Sequence, residues 1–290
     1  MKMLMEGDFR KTYMNQYTEL PMMVPDLYNV ATSSMAYEKS TQIGAVPDHA
    51  EFTGRITEIQ PEQGFDKTHV FTEYAAQMQI QRRLAADDQT RTMNRLPSGL
   101  AISANRSREK LGAQIFNLAF TSEPSDGDGC ELCADDHGSN VTGVSNVDNE
   151  GTSALSASSV ETARLAMAGF TDDQGEIIST NPDSIMIPLG LEQTGWEIIN
   201  SKGKVDTANN NANFHQGKYK LIVWLRLTDE NNWFCIDYSA MKEYLMWFNR
   251  EPIQFFQDKD SSTMVAIYNS YYRCGVGWED FRFLYGMLVS

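Results

Sequence analysis

No run of about eighteen apolar residues occurs in this 290-residue chain, so no segment is long enough to span a bilayer as a helix. The opening MKMLMEGDFRKTY has no apolar core of signal-peptide length. The chain is therefore expected to be made and kept in a cytoplasm, where its 4 cysteines are reduced thiols. Basic residues are in deficit: 24 Lys and Arg face 39 Asp and Glu, a net charge of −15. Nucleic-acid binders draw affinity from Lys and Arg displacing counterions, so this balance repels phosphate. The chain also lacks G-x-S-x-G, the P-loop, G-x-G-x-x-G and H-E-x-x-H. The usual signatures of a serine nucleophile, a nucleotide cradle and a zinc protease are thereby absent. It has no internal repeat.

Enough remains for a large core. Hydrophobic residues make up 41%, a little low for a globular chain, but 11% aromatics argue against wholesale disorder. The charge is concentrated. Thr121 to Gly151 holds eight acidic residues (Glu123, Asp126, Asp128, Glu131, Asp135, Asp136, Asp148, Glu150) and no Lys or Arg. A solvated loop is the plain reading of such a run.

Pro21, Pro25 and Pro47 interrupt residues 1–50, which read as an extended arm with one short helix. Arg55–Ile59 and Thr68–Thr72 are β-prone runs around the turn-forming 60–64, a polar hairpin. Such a hairpin buries little of its own and reaches onto something else. Residues 75–121 read as mostly helical, with Leu111, Ile115, Leu118 and Ala119 in one stripe and Arg106, Arg108, Glu109 and Lys110 on the polar side. Pro97 and Gly99 mark a start or a kink. Further on, a helix opens near Ser156 or Ser158 and faces inward through Val160, Ala163, Met167 and Phe170. Ser184–Ile187 reads as a buried strand, followed by a helix over 189–200. Tyr219–Leu227 and Trp233–Tyr238 read as a hairpin, and 263–272 and 281–289 as strands. Helices and strands mix without βαβ regularity, which makes the class α+β.

The one chemical constellation is DGDGCELCADDH, with Cys130, Cys133 and His137. A structural zinc needs four ligands, commonly as two pairs. Cys235 and Cys274 stand singly among apolar neighbours and read as buried core. A redox C-x-x-C opens a helix in a thioredoxin-like unit, and none is present. Asp126 and Asp128 start like a calcium loop, but Cys130 takes the next ligand position. The trio therefore reads as incidental thiols in a structured turn, with metal the lesser alternative; no catalytic residue and no cofactor are expected. His49, His69 and His215 are isolated and read as surface residues.

The order of motifs resembles the Mu-like prophage major head subunit family. Lys110–Thr121 is similar to the end of its spine helix, and Asp128–His137 to its D-G-x-x-L-(aromatic)-x-x-x-H segment. Leu155–Met167 resembles the next helix and Asp183–Glu192 the strand after it. Asn232–Asp237 and Gly275–Tyr285 complete the series. The resemblance implies the Hong Kong 97-type capsid fold: an N-terminal arm (1–50), an E-loop hairpin (51–75), and a spine helix with P-domain and acidic loop (76–154). The A-domain (mainly 155–260) and return strands to the P-domain (261–290) follow. It implies a tailed-phage major capsid protein, not an enzyme, forming pentamers and hexamers of an icosahedral shell around double-stranded DNA. A separate scaffolding protein, a portal and a decoration protein are the implied partners, with assembly in the host cytoplasm and residence in the virion. Arg55, Ile56, Ile59, Phe65, Val70 and Phe71 become candidates for the subunit interface. In the family frame Cys133 replaces an aromatic, so Cys130→Ser with Cys133→Phe is expected to leave particles intact. A nanocompartment shell protein of the same fold and a small thiol- or metal-dependent enzyme are the alternatives.

Overall fold

The computed structural model describes residues 4–46, 49, 51–52, 54, 56, 58, 63–81, 83, 95–121, 127–139, 141, 143–203, 211–260 and 262–290. The chain opens with a helix, not an extended arm. Helix α1 (Leu4–Glu19) places Phe9, Tyr13 and Tyr17 on one stripe at i, i+4 and i+8, and all three are buried. The prolines that suggested an arm begin only at Pro21, past its end. A short turn of helix, α2 (Val24–Leu27), follows, then strands β1 (Asn29–Thr32) and β2 (Tyr37–Ile43).

Strand β2 pairs antiparallel with β3 (Gln63–Val70), so Thr68, His69 and Val70 face Lys39, Glu38 and Tyr37. Among the described residues Thr68–Val70 thus pairs with the earlier strand β2; most of the expected partner 55–59 lies outside the described residues. Arg55 and Ile59 lie outside the described residues. The extended run also breaks at Phe71. Beyond it, β4 (Thr72–Gln81) joins another sheet, so 75–81 is strand where helix was expected. Alternating burial near its end, with Met78 half-buried and Ile80 buried, is the pattern of a strand with one wet face.

Helix α3 (Leu96–Asn117) spans about 33 Å at 1.5 Å per residue. Pro97 sits in its first turn, where the missing N–H costs nothing. Its buried face uses small residues, Ala101, Ala104, Gly112 and Ala113, so neighbours approach closely. At Gly112 a Cβ would lie 2.6 Å from a Val24 methyl, and Tyr28 Oη donates to the Gly112 carbonyl at 2.6 Å. Leu100, Ala101 and Ala104 pack with the α1 aromatics, Phe255 and Tyr268 in one cluster.

The remaining elements form two sheets. One has the order β1–β9–β10–β4, built on a long antiparallel pair, β9 (Leu245–Asp260) and β10 (Val265–Trp278). The division expected at residue 260 thus falls in the turn of a hairpin. The other has the order β5–β11–β8–β6–β7, from β5 (Glu150–Gly151), β6 (Ser184–Ile187), β7 (Lys220–Val223), β8 (Trp233–Ile236) and β11 (Leu284–Met287). Here β6 lies between β7 and β8, parallel to one and antiparallel to the other, so the expected 219–238 hairpin is not formed. All four residues of β6 are buried, and a strand hydrophobic on both faces takes the interior position. Helix α4 (Ala157–Ala168) is capped by Ser156, whose hydroxyl accepts from Ser159 N, and buries Val160, Ala163 and Met167 as expected. Helices α5 (Glu192–Asn200) and α6 (Tyr238–Tyr244) complete the fold. One large core joins α3 to both sheets through Phe116, Trp224, Phe234, Trp247 and Phe283.

Candidate functional site

Segment 127–137 leaves the end of α3 as a turn and packs against the β10–β11 connection. It separates the expected trio. Cys133 is fully buried in the core, beside Phe120 and Gly286, and Leu132 is buried with it. Cys130 stays half-exposed. Asp128 takes the place of Cys133 in the polar cluster: His137 Nδ1 lies 2.7 Å from Asp128 Oδ2, and both side chains are almost wholly buried. Asp128 Oδ1 accepts from Cys130 N at 2.9 Å, an Asx turn. The His137 ring stacks on Phe281 with centroids 3.5 Å apart. A signal for Asp128 was present in the sequence: an Asp directly before Gly-Cys is a turn former whose carboxylate folds back on the N–H two residues on.

Both thiols are shifted away from the thiolate. Burial, reinforced by Asp128 and Asp136, pushes the Cys130 thiol up to about 12, and burial holds Cys133 well above its ordinary value. A redox pair needs the opposite shift. Asp128 moves below the usual carboxylate range. Burial works against its charge, but the hydrogen bonds from His137 and Cys130 N outweigh it.

An acidic cleft of about 340 Å³ is lined by Asp172, Asp173, Asp237, Asp280 and Arg282. Each carboxylate has structural work. Asp172 accepts from Gln174 N and Glu176 N, and Asp237 caps α6 through Ala240 N and holds Asn181 N. Asp173 and Asp280 grip Arg282 at 3.0 and 2.9 Å. All four carboxylates of this cleft are thus engaged by partners within the chain. Two isolated histidines are also not where expected: His69 and His215 are buried, at 3% and 4% exposure, while His49 is exposed.

The interface candidates divide by exposure. Ile56 and Val70 are 85% and 71% exposed, Phe65 is half-buried over Gly127, and Phe71 is 5% exposed in a cluster with Met246 and Phe248. Phe71 therefore has no face left for a neighbour: it closes the gap between hairpin and sheet. The root of the hairpin is fixed to the body, with Ser40 Oγ donating to Glu279 Oε1 at 2.5 Å, Gln42 Nε2 donating to the Glu279 carbonyl, and the Lys67 ammonium 3.6 Å over the Trp278 ring. Its tip carries Val46, Phe52 and Ile56 to solvent. Val46 and Phe52 were not singled out in sequence, because without the fold an isolated apolar residue in a polar stretch carries no signal. Leu189, Trp196 and Leu225 are likewise exposed. Among the described residues no helix is long and apolar enough to cross a membrane.

The structure is similar to the capsid subunit of a native GTA particle, at 13% identity and TM-score 0.60, covering 91% of this chain and 88% of that one. It is similar to the procapsid subunit of bacteriophage JBD30 at 12% identity and TM-score 0.54, with 97% and 72% covered. The JBD30 capsid decorated with minor capsid protein trimers matches at 12% identity and TM-score 0.58, with 72% and 92% covered. No curated protein matches the sequence. These identities establish a shared fold, the Hong Kong 97-type α+β capsid architecture. The profile of the phage capsid protein family matches residues 65–286, from the second strand of the hairpin to β11, and on that span the chain belongs to the phage capsid protein family.

Proposed function

We propose that the chain is the subunit of rings of five and six that tile a closed icosahedral head around double-stranded DNA. The observation that carries this is the hairpin β2–β3. Its root is fixed by Glu279 and Trp278, while its tip exposes Phe52 and Ile56 at 71% and 85%. Apolar side chains held out to solvent on a polar arm gain nothing at home and are favourable only against another subunit. Ring contacts of this kind are heterologous and close after a fixed rotation. Each can be modest, because many act together once a shell is complete.

In this reading α3, α1 and the β1–β9–β10–β4 sheet form the P-domain, and the β5–β11–β8–β6–β7 sheet with α4 and α5 forms the A-domain. The hairpin is the E-loop. The return to the P-domain begins at Leu245. A net charge of −15 lets packaged DNA slide without sticking. The protein does no chemistry of its own. A separate scaffolding protein, a portal and a decoration protein are its partners, and assembly takes place in the host cytoplasm. Negative-stain microscopy with sedimentation of the expressed protein, alone and with scaffold, tests this. Shells or capsomers are expected; a monomer under all salt and crowding conditions overturns the reading.

A further inference from the structure

We propose that Asp128, Cys130 and His137 form a structural site for a divalent cation of the zinc class. The donor atoms of the three side chains lie within 4.8 Å of one another. One nitrogen, one sulfur and one carboxylate oxygen are the donor set of a borderline-soft ion, and too few oxygens for calcium or magnesium. Tetrahedral zinc, with arms of about 2.0–2.3 Å, holds neighbouring donors about 3.3–3.6 Å apart. Asp136 Oδ1 lies 3.6 Å from the Cys130 sulfur but outside the three donors that come together, so water completes the coordination.

The site is largely set before an ion arrives: the 2.7 Å Asp128–His137 hydrogen bond has to open toward the tetrahedral spacing, and the rest is held. The Asx turn fixes Asp128 against Cys130 N. His137 is clamped by reciprocal backbone bonds with Val147, at 3.2 and 2.9 Å, and by its stack on Phe281. Half-exposed Cys130 leaves an entry path on an otherwise buried pair. The Asp128–His137 hydrogen bond alone does not account for Cys130 beside the pair, with the Asp136 carboxylate 3.6 Å from its sulfur, a negative cluster that a dication relieves. On binding, the Cys130 thiol gives its proton to solvent and the thiolate coordinates; nothing is oxidised or reduced. The bound ion closes the 128–137 turn on itself, and that turn stacks on Phe281 through His137 and lies under the hairpin root, where Phe65 covers Gly127. It acts as a staple for the element that reaches the neighbour.

The site is independent of shell assembly and can be read on unassembled subunits. Cobalt(II) titration of the full chain is the test, followed by thiolate-to-metal charge-transfer absorption. One equivalent is expected to bind with a charge-transfer band. Cys130→Ser abolishes the band, Asp128→Asn weakens binding at least about tenfold, and Cys133→Ala keeps both band and stoichiometry. Zinc raises the melting temperature of the parent chain and not of Cys130→Ser. Absence of stoichiometric cobalt or zinc at micromolar concentration overturns the proposal, as does a band that survives Cys130→Ser.

Discussion

Glu109, on the long helix, accepts the indole N–H of Trp224 at 3.2 Å through Oε2. Its other oxygen accepts Met23 N at 2.9 Å and Val24 N at 3.2 Å. One buried carboxylate thus joins α3 to the start of α2 and the end of β7. Glu109→Gln keeps one oxygen but turns an amide N–H toward a donor. It is expected to cost about 1–3 kcal/mol, and Glu109→Leu, which orphans three donors, to cost more. Urea midpoints of the unassembled subunit measure both. An unchanged midpoint for Gln would show that the carboxylate holds nothing.

His69 makes the subunit acid-sensitive. It is buried under Phe248, where Gly277 alone leaves room for its ring. Burial lowers its pKa from 6.5 to about 4; Lys67 adds to the effect and Glu38 opposes it. Between these values the unfolded imidazole binds a proton and the folded one does not. Its contribution is therefore fully present above pH 6.5 and is lost as the pH falls toward 4, by roughly 3 kcal/mol at most. Melting temperatures of the parent and His69→Gln, from pH 7.5 to 4.5, give the comparison. The parent curve is expected to fall more steeply, and parallel curves would refute the assignment.

What could be read from the sequence followed periodicity. The inward face of α4, the strand at Ser184–Ile187 and the buried Cys235 and Cys274 are written in local apolar spacing. What escaped depends on partners distant in the chain. Thr68–Val70 has equal local preference for 55–59 and for 37–39, and only the fold chooses the latter. Glu109 and Arg108 read as a polar face. They are polar residues placed inward because Trp224, Tyr17 and Asn249 wait there to bond them. Cys130 and Cys133 share a C-x-x-C spacing, yet one turn of backbone sends the first to the polar cluster and the second to the core. Phe9, Tyr13 and Tyr17 have the i, i+4, i+8 spacing of a helix face, and the prolines that break helices begin only at Pro21.

The Cys133 pocket is closed to anything larger. A Cβ placed at Gly286 would collide with the Cys133 sulfur and lie 2.9 Å from the Phe120 ring, so sulfur, ring and bare glycine fill the space together. An aromatic at 133, the residue usual in the resembling family, does not fit this chain without a compensating change. Cys133→Phe is expected to destabilise the subunit by about 1–3 kcal/mol through overpacking, contrary to the reading from the family frame. Cys133→Ala should cost less, since it leaves only a small void. A midpoint for Phe equal to the parent would mean that the neighbouring core yields freely.

The hairpin tip separates assembly from folding. Phe52 and Ile56 are 71% and 85% exposed, so Phe52→Ser with Ile56→Ser removes almost no contact within the chain. The unfolding free energy is expected to move by no more than about 0.5 kcal/mol. Between subunits the balance differs. Burying one such side chain is worth about 1.5–3 kcal/mol, and each 1.4 kcal/mol is about tenfold in affinity. The double variant should therefore raise the concentration needed for capsomer or shell formation at least about tenfold, as followed by light scattering and sedimentation. Phe71→Ala should do the reverse, because Phe71 packs at home: it lowers the unfolding midpoint first, and assembly fails only as the subunit unfolds. Shells forming from the tip variant at the parent's concentration would show that the tip does not meet a neighbour.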